Sequence, residues 1–314
     1  MTKTSIIMDV DTGVDDAFAV LFAAMHPDIN LLGITCVDGN TNVDQVVANT
    51  FKVLDAAGAG DIPVARGAVR PLLGKSQYAE YVHGKDGMCD LGIAPSNRKV
   101  DPRSAVELLR DLIESSPEPV TIIPVAPLTN IALFLRAFPE TAKKIHRIVL
   151  MGGSASAGNA TAAAEFNVWH DPEAAAIVFQ SGVPISMYGL DVFMRPTVGR
   201  EEATAMSKSD KPASQFAGSL ALGFMEQVRT DPISLGDYGA VAFAIQPDLF
   251  TTEMFDVVVD TSSGPARGQT IVDRRDAWLK QLEPLDLEDS AKVRVALDLE
   301  VDAVVKLWLK TVNS

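Results

Sequence analysis

The sequence predicts an α/β fold: a mostly parallel central sheet with helices on both faces, and a small β-hairpin extension. Three observations carry this. Short β-type runs alternate with stretches whose apolar residues recur at helical spacing, almost from end to end. The strand-like runs are apolar at consecutive positions, as strands covered on both faces are. Breaks fall where the alternation requires them: Gly58 and Gly182 lie just past helical runs, and Pro63 and Pro184 precede the next strands.

In chain order, SIIMDV (5–10) reads as the first buried strand and DDAFAVLFAAM (15–25) as the helix that follows it. LLGITCV (31–37) is the second strand, with NVDQVVANTFKVLDAAG (42–58) behind it at helical spacing. RSAVELLRDLIESS (103–116) is a helix leading into PVTIIPVA (119–126), and LTNIALFLRAF (128–138) a helix leading into HRIVLMG (146–152). DPEAAAIVFQSG (171–182) and VPISMYGL (183–190) complete the βαβ series. After about residue 250 the pattern changes to TEMFDVVVDT, a TSSGPARGQ turn and a second strand-like piece, read as the appended hairpin. LDLEVDAVVKLWLKTV reads as a short strand feeding a terminal helix. No linker, repeat or low-complexity tract divides the 314 residues, so a single domain over 1–314 is expected.

Composition narrows the function. With 27 Lys and Arg against 41 Asp and Glu, the formal net charge is -14, and no basic stretch tracks a phosphate backbone, so no nucleic-acid partner is expected. No leader-like pattern stands before the first strand and no apolar run approaches the roughly 20 residues of a membrane span, so a soluble, cytoplasmic protein is expected, with no membrane partner. Cys36 and Cys89 stand far apart with no CxxC or Cys/His cluster, which argues against a disulfide framework or a zinc site. Cys36, inside LLGITCV, reads as core.

The chemistry concentrates in DVDTGVDD, which crowds Asp9, Asp11, Asp15 and Asp16 directly behind an apolar strand. In parallel sheets ligands bind outside the carboxyl ends of the strands, where Asp9 and Asp11 fall. Asp15 and Asp16 read alone as first-turn acids of a helix. Four neighbouring carboxylates repel, however, and a hard cation is the economical way to neutralise them. Oxygen-only ligands point to calcium or magnesium, and a crowded carboxylate set leans toward calcium. The DxDx[T/V] stretch of the haloacid-dehalogenase-like phosphatases shares the Asp9 and Asp11 spacing. It fails at Gly13, and GDYGAV (236–241) lacks the second acid of the later motif.

DVDTGVDD resembles the DxDxGxDD signature of the calcium-dependent nucleoside hydrolases, the inosine-uridine-preferring superfamily. Further blocks agree in order: VDGN (37–40), HGKDG (83–87), APLTNIA (126–132), LMGG (150–153), GNATAAAEFNVWHDPEAA (158–175) and YGLDV (188–192). The resemblance covers residues 5 to about 245. It implies a Rossmann-like nucleoside hydrolase fold and hydrolysis of the N-glycosidic bond of ribonucleosides to ribose and free base, in purine or pyrimidine salvage. It further implies a homodimer or homotetramer.

By the same resemblance, calcium is held by Asp11, Asp16, Asp237 and the backbone carbonyl of Thr129, and Asp11 is the general base for a water that the calcium orients. Asp15 and Asn167 hold the ribose hydroxyls, Asn40 positions water and sugar, and Asn159 and Glu165 hold the 5′-hydroxyl. Met151 and Phe166 supply apolar wall, His83 a lid over the substrate. Asp9 is expected to support the ligands by hydrogen bonding, Asp191 to be a buried structural acid, and His146 and His170 to be structural.

One position departs from the family. Where it carries a His that protonates the leaving base, or a Trp that stacks on it, SLGDYGAVA has Gly236 before Asp237. Tyr238, Arg195, Arg229 and His83 are candidate substitutes. Two alternatives stay open: another N-ribosyl compound or modified nucleoside, for which Gly236 gives extra room, and a ribose- or nucleoside-binding protein that has lost turnover.

Overall fold

The computed structural model describes residues 3–282 and 290–314. Its strands, in chain order, are β1 (Thr4–Val10), β2 (Ile29–Cys36), β3 (Val64–Arg66), β4 (Val120–Pro124), β5 (Ile145–Met151), β6 (Ile185–Tyr188), β7 (Thr197–Val198), β8 (Ile233–Ser234), β9 (Phe250–Val259), β10 (Thr270–Val272) and β11 (Ala291–Leu299). Nine of these form one sheet in the order β10-β9-β11-β6-β5-β4-β1-β2-β3, while β7 and β8 pair separately. Among the described residues, all neighbours in this sheet from β3 through β6 to β11 are parallel, and β9 runs antiparallel to both of its neighbours.

The apolar runs become strands because both faces of the sheet are covered. Along β1, Ile6, Met8 and Val10 belong to one core and Ile7 to the other. The first core is closed by the helices Val14–Met25, Val43–Ala56, Pro212–Val228, Tyr238–Ile245 and Val301–Val312. The second is closed by Ala105–Ser115, Thr129–Ala137 and Pro172–Phe179. Gly58 and Gly182 have φ of 60° and 78°, the left-handed geometry that ends a helix. No helix among the described residues is long and apolar enough to cross a membrane.

The hairpin is β9 and β10, as expected, but it does not join β6 directly. The last strand, longer than LDLE suggests, runs antiparallel to β9 and parallel to β6 and so sits between them. Pro212–Val228, absent from the sequence reading, is the longest single helix described. Its apolar residues Ala217, Leu220, Ala221 and Met225 recur at helical spacing and are buried.

The terminal helix is fastened by Trp308, which is 1 % exposed. Its Nε1 donates to the Phe18 carbonyl at 3.2 Å and its ring meets Phe18 edge-on at 5.3 Å. Trp308→Ala therefore removes a filled core volume, an aromatic pair and a buried hydrogen bond, and should destabilise the protein by about 3–5 kcal/mol. A thermal melt checks this; an unchanged melting temperature would mean that the helix does not stabilise the sheet.

Candidate functional site

The parallel strands bring their carboxyl ends to one edge. There β1 stands between β2 and β4, whose chain connections depart in opposite directions, which opens a crevice. A cavity of about 320 Å³ lies there, a size suited to a small molecule. Its lining has two chemical sets. Asp11, Asp15, Asn40, Glu165, Asn167 and Asp237 are polar, and Tyr81, Phe193, Phe224, Val228 and Ile233 are largely apolar.

The acids are held by short-range backbone bonding. Asp16 accepts the N–H of Asp11 at 3.1 Å, the N–H of Gly13 at 3.0 Å and Asn40 Nδ2 at 3.1 Å. Asp11 Oδ2 accepts the Asn40 N–H at 2.7 Å. This approach requires Gly39, where a Cβ would stand 2.8 Å from the Asp11 Cβ. Asp9 accepts Thr35 Oγ1 at 2.5 Å and Asn130 Nδ2 at 2.8 Å through Oδ1.

Burial pushes Asp9 and Asp16 up to about 7, opposed at Asp9 by its two hydrogen bonds and reinforced at Asp16 by the Asp15 charge. Burial first, then neighbouring carboxylates, also raises Asp11 and Asp237. Asp9 Oδ2 and Asp11 Oδ1 are buried and have no protein hydrogen-bond partner among the described residues. Oxygens of Asp15, Asp16 and Asp237 lie within 4.8 Å of one another, a set that a single ion could bridge. The residues fit a hard divalent cation, since all donors are oxygen and the site is crowded with charge that protons alone would otherwise neutralise. The trio differs from the expected ligands in holding Asp15, with Asp11 beside it. Thr129 is buried at the start of its helix, its hydroxyl donating to Asp171 Oδ2 at 2.6 Å.

The residues expected at the sugar converge on the same cavity, several with side-chain atoms already engaged. Glu165 caps the helix Phe166–His170 by accepting the N–H groups of Asn167 and Val168, and it also accepts that of Gly153 at 2.9 Å. Burial pushes it up to about 7. Asn167 Nδ2 donates to the carbonyls of Val125 and Met151, both at 3.1 Å, which leaves its Oδ1 as the acceptor for a hydroxyl. Asn159, at the exposed rim, accepts the Phe166 N–H at 2.9 Å. Met151 and Phe166 line the cavity as wall.

His83 reaches the cavity too. Its Nδ1 accepts the Val14 N–H at 3.3 Å, so the neutral ring carries its proton on Nε2, 4.0 Å from Asp15 Oδ1. The ring stacks on Phe224 at 5.6 Å and 5°. Burial lowers its pKa and the Asp15 charge opposes this.

Three of the suggested leaving-group residues do not reach the cavity. Tyr238 is fully buried in the core, with its hydroxyl on the Val304 carbonyl at 2.8 Å and its ring 4.7 Å from Phe22, so it binds no substrate. The helix beginning after Asp237 turns it inward. Arg195 pairs with Asp298, and Arg229 is exposed past the end of Pro212–Val228; neither lines the cavity. Gly236 offers no extra room either. Its φ is 55°, and a Cβ there would stand 2.6 Å from the Asp15 Cβ and 2.9 Å from Phe193 Cζ.

Sequence reasoning missed the apolar lining. Phe193 follows YGLDV and Phe224 lies on the helix not anticipated, so only their aromatic character could have marked them. It also missed Asp171, which caps the helix Pro172–Phe179 and ties Thr129 and the Leu72 N–H together. Asp191, half-buried, accepts the Ala155 N–H at 2.7 Å and the Ser156 hydroxyl at 2.8 Å. His146 is exposed, and His170 is buried with Nε2 3.4 Å from Asp38 Oδ2.

Residues 6–306 match the model of the family described as inosine-uridine preferring nucleoside hydrolase. A pyrimidine-specific ribonucleoside hydrolase RihA of Shewanella baltica is 40% identical over 275 residues, 86% of either chain. A non-specific ribonucleoside hydrolase RihC of Salmonella paratyphi B is 38% identical over 311 residues, 98% of this chain and 96% of its own. Among solved structures, a purine-preferring ribonucleoside hydrolase from Gardnerella vaginalis aligns with a TM-score of 0.88 at 31% identity, covering 98% of both chains.

The raised carboxyls give a pH signature. Their folded pKa values lie above the unfolded ones near 4, so the folded state retains protons that the unfolded state has lost, and stability falls as pH rises from about 4 to above 7. Chelator-treated protein should therefore melt lower at about pH 8 than at about pH 5, and added calcium should raise the melting temperature more at the higher pH. A chelator-treated protein that melts higher at the upper pH would contradict the raising of these carboxyls by burial.

Proposed function

The chain belongs to the inosine-uridine preferring nucleoside hydrolase family and hydrolyses nucleosides to ribose and nucleobase, and we propose that it does so with calcium and with Asp11 as general base. The observation that carries this is the buried carboxylate group at the end of β1, with Asp11 Oδ1 lacking a protein partner beside the Asp15, Asp16 and Asp237 trio. Asp16, Asp237, Asp11 and the Thr129 carbonyl would hold the ion, and the closeness of Asp15 to the first two supports its taking part as well. When bound, calcium would orient the attacking water and make it more acidic.

Each residue then has a task. Asp11, fixed by the Asn40 N–H, takes the proton of the attacking water. Asp15 and the Asn167 Oδ1 accept from ribose hydroxyls, while Glu165 and Asn159 hold the 5′-hydroxyl. The transition state is oxocarbenium-like, and the surrounding carboxylates stabilise the positive charge that develops on the sugar. The base departs toward the apolar lining. Of the four groups suggested for that side, His83 lines the cavity, and its Nε2–H is the donor available to the leaving base.

The printed preferences of the relatives differ: pyrimidine-specific, non-specific and purine-preferring. That spread favours testing both base classes. The same reading takes the chain as one domain, supported by a family match over 6–306 and a single nine-stranded sheet, and as a homodimer or homotetramer in the cytoplasm.

With calcium and a panel of inosine, adenosine, guanosine, uridine and cytidine, the protein should release reducing sugar. Asp11→Asn should lower kcat by roughly a thousandfold with the melting temperature retained. Asp11→Asn activity close to wild type would remove Asp11 from the reaction; no release from any nucleoside would favour another N-ribosyl substrate.

A further inference from the structure

The ground beside Asp237 that a larger residue 236 would take is filled from another segment. Gly236 lies between the Asp15 Cβ and the ring of Phe193, with no space for a side chain of its own. The Ser234 hydroxyl fixes this arrangement: it donates to the Phe193 carbonyl at 2.6 Å and accepts the Gly236 N–H at 2.9 Å. Phe193 is half-buried, backed by Tyr188 at 6.5 Å, and lines the cavity. From Asp15 the wall continues through His83 to Phe224, which stack in parallel. The acid that marks the sugar end therefore has an aromatic ring close on either side.

We propose that Phe193 is a specificity-determining residue, its ring forming the wall against which the leaving base rests. The inference rests on the nucleoside hydrolase reading and deepens it. The cavity lining carries no Lys or Arg and includes Phe193, Phe224, Val228 and Ile233, so it suits a neutral planar heterocycle rather than an anionic leaving group. A flat ring held through its backbone discriminates by stacked area, so a bicyclic purine gains more from it than a single-ring pyrimidine. Because Gly236 has a left-handed φ and two neighbours within 3 Å of a Cβ, a side chain at 236 could act on the base only by displacing Asp15 and Phe193.

The test compares wild type with Phe193→Ala, Phe193→Leu and Phe193→Tyr on inosine and uridine with calcium. Readouts are kcat, KM and the inhibition constant of free ribose. Phe193→Ala should raise KM for inosine about tenfold, and for uridine by less, while ribose inhibition stays within about twofold. Phe193→Tyr should stay near wild type, and Phe193→Leu should show the loss if Phe193→Ala does not fold. An unchanged KM in the folded variant, or ribose inhibition weakening in step with KM, would overturn the proposal. Wild-type protein that releases no ribose from either nucleoside would overturn the reading on which it rests, before any variant is compared.

Discussion

The arrangement at the carboxyl edge of the sheet depends on one electrostatic constraint: several carboxylates are buried together and cannot all be charged alone. A pair of unit charges at about 4 Å repels by about 4 kcal/mol even at a high effective dielectric constant of about 20. A first-turn acid gains only about 0.3–1 kcal/mol from the helix dipole. Helix initiation therefore accounts for the presence of an acid at Asp15 or Asp16 and not for the cluster. Protons or a cation must supply the balance, and the carboxyls of Asp11, Asp16 and Asp237, raised first by burial and then by the charge of their neighbours, express the same requirement.

Fixing these groups in place falls to the backbone. Asn40 links two acids at once, its N–H on Asp11 and its amide on Asp16. Glu165 takes three backbone N–H groups, and Asp171 takes two together with the Thr129 hydroxyl. The loop after β1 is thereby joined to that after β2, and those after β3 and β4 to that after β5, while Asn130 Nδ2 on Asp9 ties the two groups together. For the proposed reaction such a site is preorganised, because few groups need to reorient as charge develops on the sugar.

Much of this was legible in the residues. The five apolar runs became strands since consecutive burial leaves a parallel strand little other composition. Asp9 and Asp11 could be located because they close an apolar strand, whereas Asn40, His83, Asn159, Glu165 and Asn167 came only through the resemblance of their motifs to the nucleoside hydrolases. What was not legible depended on long-range packing. Tyr238 adjoins a proposed ligand, yet one residue of helical rotation separates cavity from core. Gly236 reads as open space in a string of letters, whereas Phe193, more than forty positions earlier, fills it. Phe224 could not be assigned to a wall before its helix was known to pass over His83.

The position of β11 bears on how the molecule is made. On a ribosome the hairpin of β9 and β10 emerges before the strand that attaches it to β6, so it has no place in the sheet until β11 follows. Thr270 on β10 bonds both the N–H and the carbonyl of Ser154, in the loop that leads to Asn159 and Glu165. A cavity-lining loop near the middle of the chain is thus anchored by the edge strand β10. The cavity thus draws on strands from opposite parts of the sheet order, its acids from the end of the inner strand β1 and the anchor of the Asn159 loop from the edge strand β10.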